Sequence, residues 1–153
     1  MAHLFDEIYL RNIRLTKQNK GYRLWTTQAL PPELRQAFKE NRKRIRDRFM
    51  ENAAARRLGF LVFGHGTFYV YQYGEGSFLF IERKGVTEES ADVWREKFFG
   101  GKKRSQGTVM VAENIPFNEA WREAQSFVTW IHRKRKQPMM NKPNKEETLW
   151  EMI

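Results

Sequence analysis

Three short aromatic runs, residues 59–63, 67–73 and 78–82, are separated by Gly64-His65-Gly66 and Gly74-Glu75-Gly76-Ser77. No other feature constrains this chain as strongly. Apolar segments of five to seven residues, rich in Phe, Tyr and Val and bounded by glycine, predict an antiparallel three-strand meander. Side chains alternate along a strand, so Tyr69, Tyr71 and Tyr73 point to one side and Phe68 and Val70 to the other. A turn centred on Glu75-Gly76 predicts that Tyr71 faces Phe80 and Tyr69 faces Glu82.

The elements around the meander follow from periodicity. Residues 8–16 and 22–27, joined by Lys17-Gln18-Asn19-Lys20-Gly21, predict an N-terminal hairpin. Pro31-Pro32 opens a long helical pattern to about Arg57, carried by Leu34, Phe38, Ile45, Phe49 and Ala53. Thr87 is placed as the cap of a second helix bearing Ala91, Trp94 and Phe98 and stopped by Gly100-Gly101. Residues 108–112 predict a further strand. A last helix over 116–135 aligns Phe117, Ala120, Trp121, Ala124, Phe127, Val128 and Ile131. The expected class is α+β: a small, mainly antiparallel sheet covered by about three helices. The 153-residue length favours a single domain over 1–136, and the proline-interrupted stretch 137–153 predicts a loose tail.

Several chemistries are excluded at this point. With no cysteine there is no disulfide, thiolate nucleophile or cysteine-ligated zinc. His3, His65 and His132 are too scattered for a helical metal pair, so no resident metal or cofactor is expected. Without a long apolar run or a secretion signal, the chain is expected to be intracellular and to have no membrane partner.

Charge suggests a function. The chain carries 28 Lys and Arg against 18 Asp and Glu, a net +10, which makes a polyanion the first partner to consider. Residues 31–57 hold nine basic and four acidic residues. On one continuous helix, Arg35, Lys39, Arg42, Lys43 and Arg46 fall on a flank without acid, while Glu33, Glu40, Asp47 and Glu51 fall on the other beside Arg44. Phosphate binding needs such sorting, because a carboxylate within a Debye length, about 8 Å, would cancel the field. Lys102, Lys103 and Arg104 form a second cluster, and Arg133, Arg135 and Lys136 a third. The expectation is a nucleic-acid-binding protein, DNA ahead of RNA, that contacts mainly backbone phosphate. Strand type, sequence specificity and oligomeric state stay open, and the size and charge also suit an accessory protein of a phage or mobile element.

Two further constellations bear on chemistry. A row of Tyr69, Tyr71 and Tyr73 on an open sheet face would stack unpaired bases; buried under helices, the same residues are core. Three amphipathic helices seeking apolar surface favour the core. The strand end Phe80-Ile81-Glu82-Arg83-Lys84 places Glu82 and Lys84 on one side, and Glu51 and Glu75 are candidate additional ligands. This Glu-x-Lys segment is similar to half of the PD-(D/E)XK nuclease signature, without its Pro-Asp pair. The order of elements over 51–112 also resembles that family's Holliday-junction resolvases. The resemblance implies a Mg²⁺- or Mn²⁺-dependent nuclease as an alternative. A second alternative is an adaptor or inhibitor of an acidic protein surface, with Leu149-Trp150-Glu151-Met152-Ile153 as docking peptide.

Overall fold

The structure, a computed structural model, describes residues 2–18, 21–85, 88–98 and 105–136. Its elements are α1 (Ala2–Leu10), β1 (Arg14–Gln18), β2 (Gly21–Trp25), α2 (Pro32–Glu40), α3 (Arg42–Leu58), β3 (Leu61–Phe63), β4 (Phe68–Gly74), β5 (Ser77–Lys84), β6 (Ser90–Phe98), β7 (Ser105–Pro116) and α4 (Phe117–Lys136). The fold is α+β, with a two-stranded β1-β2 hairpin and a five-stranded antiparallel sheet in the order β3-β4-β5-β6-β7. The loop 102–104 and the tail 137–153 lie outside the described residues.

Three expectations about the type and extent of elements are corrected. The N-terminus begins with a helix, whose Leu4, Phe5 and Ile8 are buried, and only the strands after it form the hairpin. The long helical pattern is two helices. Asn41 leaves helical geometry at φ −110°, ψ 19°, and both its backbone N–H and its side-chain amide donate to the Ala37 carbonyl, closing α2 before α3 restarts. The segment expected to be helical around Trp94 is strand β6. Ala91 and Val93 enter the helix-covered core, Asp92 and Trp94 take the other face with Asp92 itself buried, and eight successive residues pair with β5. Spacings of three and four among Ala91, Trp94 and Phe98 imitated a helix, but ladder pairing with β5 prevails and sends successive side chains to opposite faces.

Helices cover one face of the sheet. From α4, Ala120, Ala124, Phe127 and Val128 pack on Tyr69, Leu79, Ile81 and Val93, with Ala55 of α3 in the same cluster. Leu4, Phe5 and Ile8 of α1, Phe38 of α2 and Ile45 of α3 form a second cluster. α3 therefore belongs to both, and its inward face between Ile45 and Ala55 is polar: Arg48 and Asn52 are buried.

A β-bulge decides the fate of the tyrosines. Gly74 pairs with Ser77 but Gln72 with Phe78, leaving Tyr73 out of the ladder and slipping the register by one. Tyr71 thus faces Leu79 and Tyr69 faces Ile81, not Phe80 and Glu82 as expected. Tyr69 is fully buried and Tyr71 nearly so, under the helices. They are core, and the phenylalanines take the open face.

Candidate nucleic-acid interface

Among the described residues α3 offers the most extended set of unneutralised cations. Its inward residues Ile45, Arg48, Asn52 and Ala55 define the buried side, and at 100° per residue Arg42, Arg46, Met50, Ala53 and Arg57 run along the outer one. All five are exposed. From Arg42 to Arg57 the strip is about 22 Å long by helical rise.

Both acids of α3 are already engaged. Asp47 accepts from Lys43 at 2.8 Å, and Glu51 is held by Arg83 of β5. Arg44 and Arg48 take carboxylates from the segment before β6, Glu89 and Glu88 respectively, the latter at 2.8 Å. Among the described residues Arg42, Arg46, Arg56 and Arg57 have no ion pair. The acid-free flank expected from sequence is thus narrowed. Lys43 leaves it, and Arg35 and Lys39 belong to a separate helix, exposed and without a carboxylate partner among the described residues, Arg35 donating to the Leu30 carbonyl. Arg56 and Arg57 join it. Arg57 is fifteen residues beyond Arg42, hence on the same strip, a relation visible in the sequence once the helix is known to start at Arg42.

The C-terminal cluster approaches the end of this strip. Gly59 caps α3 at φ +106°, where a Cβ would lie 3.2 Å from the Tyr71 ring, and the Tyr71 hydroxyl is 2.9 Å from His132 Nε2 of α4. The C-terminal ends of the two helices therefore meet at Tyr71. Arg133 is exposed there, while Arg135 donates to the Tyr73 carbonyl and Lys134 lies over the Trp130 ring. Lys136 is the last residue of α4. Lys102, Lys103 and Arg104 lie outside the described residues.

Beneath the strip is a buried polar cluster that joins α3 to the sheet. Arg83 donates to the Gly66 and Glu88 carbonyls and to the Tyr69 hydroxyl, and its guanidinium lies 3.4 Å from the Phe117 ring centre. The Tyr69 hydroxyl donates to Asn52 at 2.6 Å, and Arg48 donates to the His65 carbonyl. Burial lowers the Arg48 pKa, as does Arg83, against the pull of Glu88. Burial also raises the Tyr69 pKa. An adjoining cleft of about 260 Å³ is lined by Lys43, Arg44, Arg48 and Arg83 and by Asp47, Glu51, Glu88 and Glu89. Each cation there faces a carboxylate, so the cleft carries no net field for an anion.

The candidate nuclease residues are not brought together. Glu51 reaches Arg83 on the helix-covered face, whereas Glu82 and Lys84, of opposite parity on β5, lie on the other. Glu75 is in the exposed β4–β5 turn, about 23 Å along the strand from Glu82. Lys84 is engaged by buried Asp92, which also accepts from the Asn114 N–H at 2.8 Å. Among the described residues no three His, Asp or Glu side chains cluster to hold a metal, and no helix is long and apolar enough to cross a membrane. Comparison of the chain with protein-family profiles, curated proteins and solved structures gives no match.

Proposed function

We propose that the protein binds nucleic acid through the phosphate backbone, with Arg42, Arg46, Arg56 and Arg57 of α3 as the principal contacts and Arg35, Lys39 and Arg133 flanking them. The observation that carries this reading is the outer strip of α3, where Arg42, Arg46 and Arg57 lie exposed with exposed Arg56 beside them, while both acids of the helix are already paired. Duplex DNA is the form best matched. Its major groove, about 12 Å wide, admits a helix, whereas the deep groove of duplex RNA does not. Burial of Tyr69 and Tyr71 withdraws the stacking surface that an unpaired strand would use.

The test is fluorescence anisotropy with a labelled duplex of about 20 base pairs, two helical turns, at several salt concentrations. The double variant Arg42→Glu, Arg46→Glu should lose at least about tenfold in affinity and bind with a shallower salt dependence, with an unchanged circular dichroism spectrum. Equal affinity and slope in a folded variant would remove α3 from the interface.

A further inference from the structure

The sheet face turned away from the helices bears a patch of carbon. Register places Leu61, Val70, Phe80, Trp94 and Met110 in one row across all five strands. Phe63 and Phe68 lie in the next row on one side and Phe78 on the other. Leu61 is 63%, Phe63 50% and Met110 48% exposed. Sheet contacts from α3 and α4 go to the opposite face. At about 4.8 Å per strand the row is about 19 Å across, the length of about 13 helical residues. Soluble surfaces seldom leave so contiguous an apolar area without a partner.

Carboxylates at the rim, Glu82 and Glu96, repel a polyanion and decide against nucleobases here. Phe80 stacks on Trp94 with centroids 5.3 Å apart and 23° between planes, and on Phe68 at 5.5 Å and 26°. The Phe68 and Trp94 centroids are themselves 6.0 Å apart, so the three rings form one packed cluster on this face. The Trp94 indole N–H is also satisfied, donating to Glu96 at 2.9 Å. Charge decides between the remaining occupants. In a chain of net +10 this patch is bounded by carboxylates, Glu82 and Asp92 at one end and Glu96 at the other. Among the described residues the cation beside them, Lys84, is committed to Asp92, with Glu82 and Glu113 also near enough to favour its charged form. A second copy seated face to face would set carboxylate against carboxylate.

We infer that this face docks a basic amphipathic helix of a protein partner, its apolar stripe on Leu61, Phe63, Phe80, Trp94 and Met110 and its flanking Lys or Arg side chains on Glu82 and Glu96. Helix-in-groove recognition of this kind uses apolar anchors for affinity and flanking charge for selection. The surface is independent of α3, which lies across the sheet.

The test uses the full chain and two synthetic amphipathic peptides of about 18 residues, one of Leu and Lys, one of Leu and Glu. The protein's own net charge repels the first and attracts the second, so preference for the lysine peptide reports the face. Binding should be detectable below about 100 µM by calorimetry, with amide shifts at Val70, Phe80 and Trp94. Leu61→Ser with Phe63→Ser, at positions already half exposed, should abolish it, and Glu82→Lys with Glu96→Lys should weaken it about tenfold. Arg42→Glu with Arg46→Glu should leave it unchanged, which separates this surface from the nucleic-acid one. Absence of binding, equal binding of the glutamate peptide, or shifts confined to α3 and α4 would overturn the proposal. So would sedimentation as a dimer that the Leu61→Ser, Phe63→Ser protein no longer forms, which would make a second copy the occupant.

Discussion

At the scale of single residues, the most consequential pair is Arg48 and Glu88. Both side chains are almost wholly buried, and Glu88 holds a left-handed backbone at φ 57° to make the contact. Removing one partner strands a charge in a poor solvent, so Glu88→Ala is expected to cost about 3–5 kcal/mol in urea unfolding. Arg48→Met with Glu88→Leu, which removes both charges, should recover most of that loss. Neighbouring His65, also left-handed at φ 52°, has its pKa lowered first by burial and then by Arg56 and Arg48. A depressed folded value means that the unfolded chain binds the proton first. Stability is therefore complete above the unfolded value, about 6.5, and is lost as pH falls through the folded one. His65→Asn, which tolerates the backbone, should flatten that limb in chemical melts between pH 5 and 7. None of these pairings was legible in the sequence, because Arg48 and Glu88 are forty residues apart and nothing local marks them as partners. The parity of the tyrosines was legible; the bulge at Tyr73 that set their register was not.

At the scale of elements, glycine spacing and a two-residue period revealed the meander, and a clean apolar stripe revealed α4. Two elements were misread, one for a tertiary reason and one for a local one. In β6 the alternation Ala91, Val93 against Asp92, Trp94 is masked by apolar residues at helical intervals, and only pairing with β5 selects the strand. At Asn41 no proline or glycine interrupts the pattern, yet the side-chain amide competes for a helical carbonyl and splits the helix. The β4–β5 turn is more strongly specified. Gly76 adopts φ +68°, a Cβ there would meet the Phe98 carbonyl, and the Phe98 N–H donates to the Gly76 carbonyl at 2.7 Å. Gly76→Ala should accordingly destabilise by at least about 1 kcal/mol, exceeding an ordinary glycine substitution, and lower the thermal midpoint by at least about 2–4 °C.

At the scale of the whole molecule, net charge and α+β class were readable, but the distribution of neutralising acids depends on tertiary structure. Glu88 and Glu89, arriving from the far side of the meander, silence Arg48 and Arg44, and Asp92 silences Lys84. What survives is a set of unpaired arginines on the outside of α3, and its consequence is quantitative. Each phosphate neutralised on duplex DNA contributes about 0.9 to the slope of log affinity against log salt. Replacing Arg42, Arg46, Arg56 and Arg57 one after another by Gln should therefore reduce the slope in steps, by about 3.6 in total, if each contacts one phosphate. Glutamine preserves most of the stem packing, so thermal midpoints should move little while the slope falls. Steps confined to Arg42 and Arg46 would place the duplex at the start of α3. Steps confined to Arg56 and Arg57 would place it where α3 and α4 meet, and Arg133→Gln should then contribute a further step of the same size.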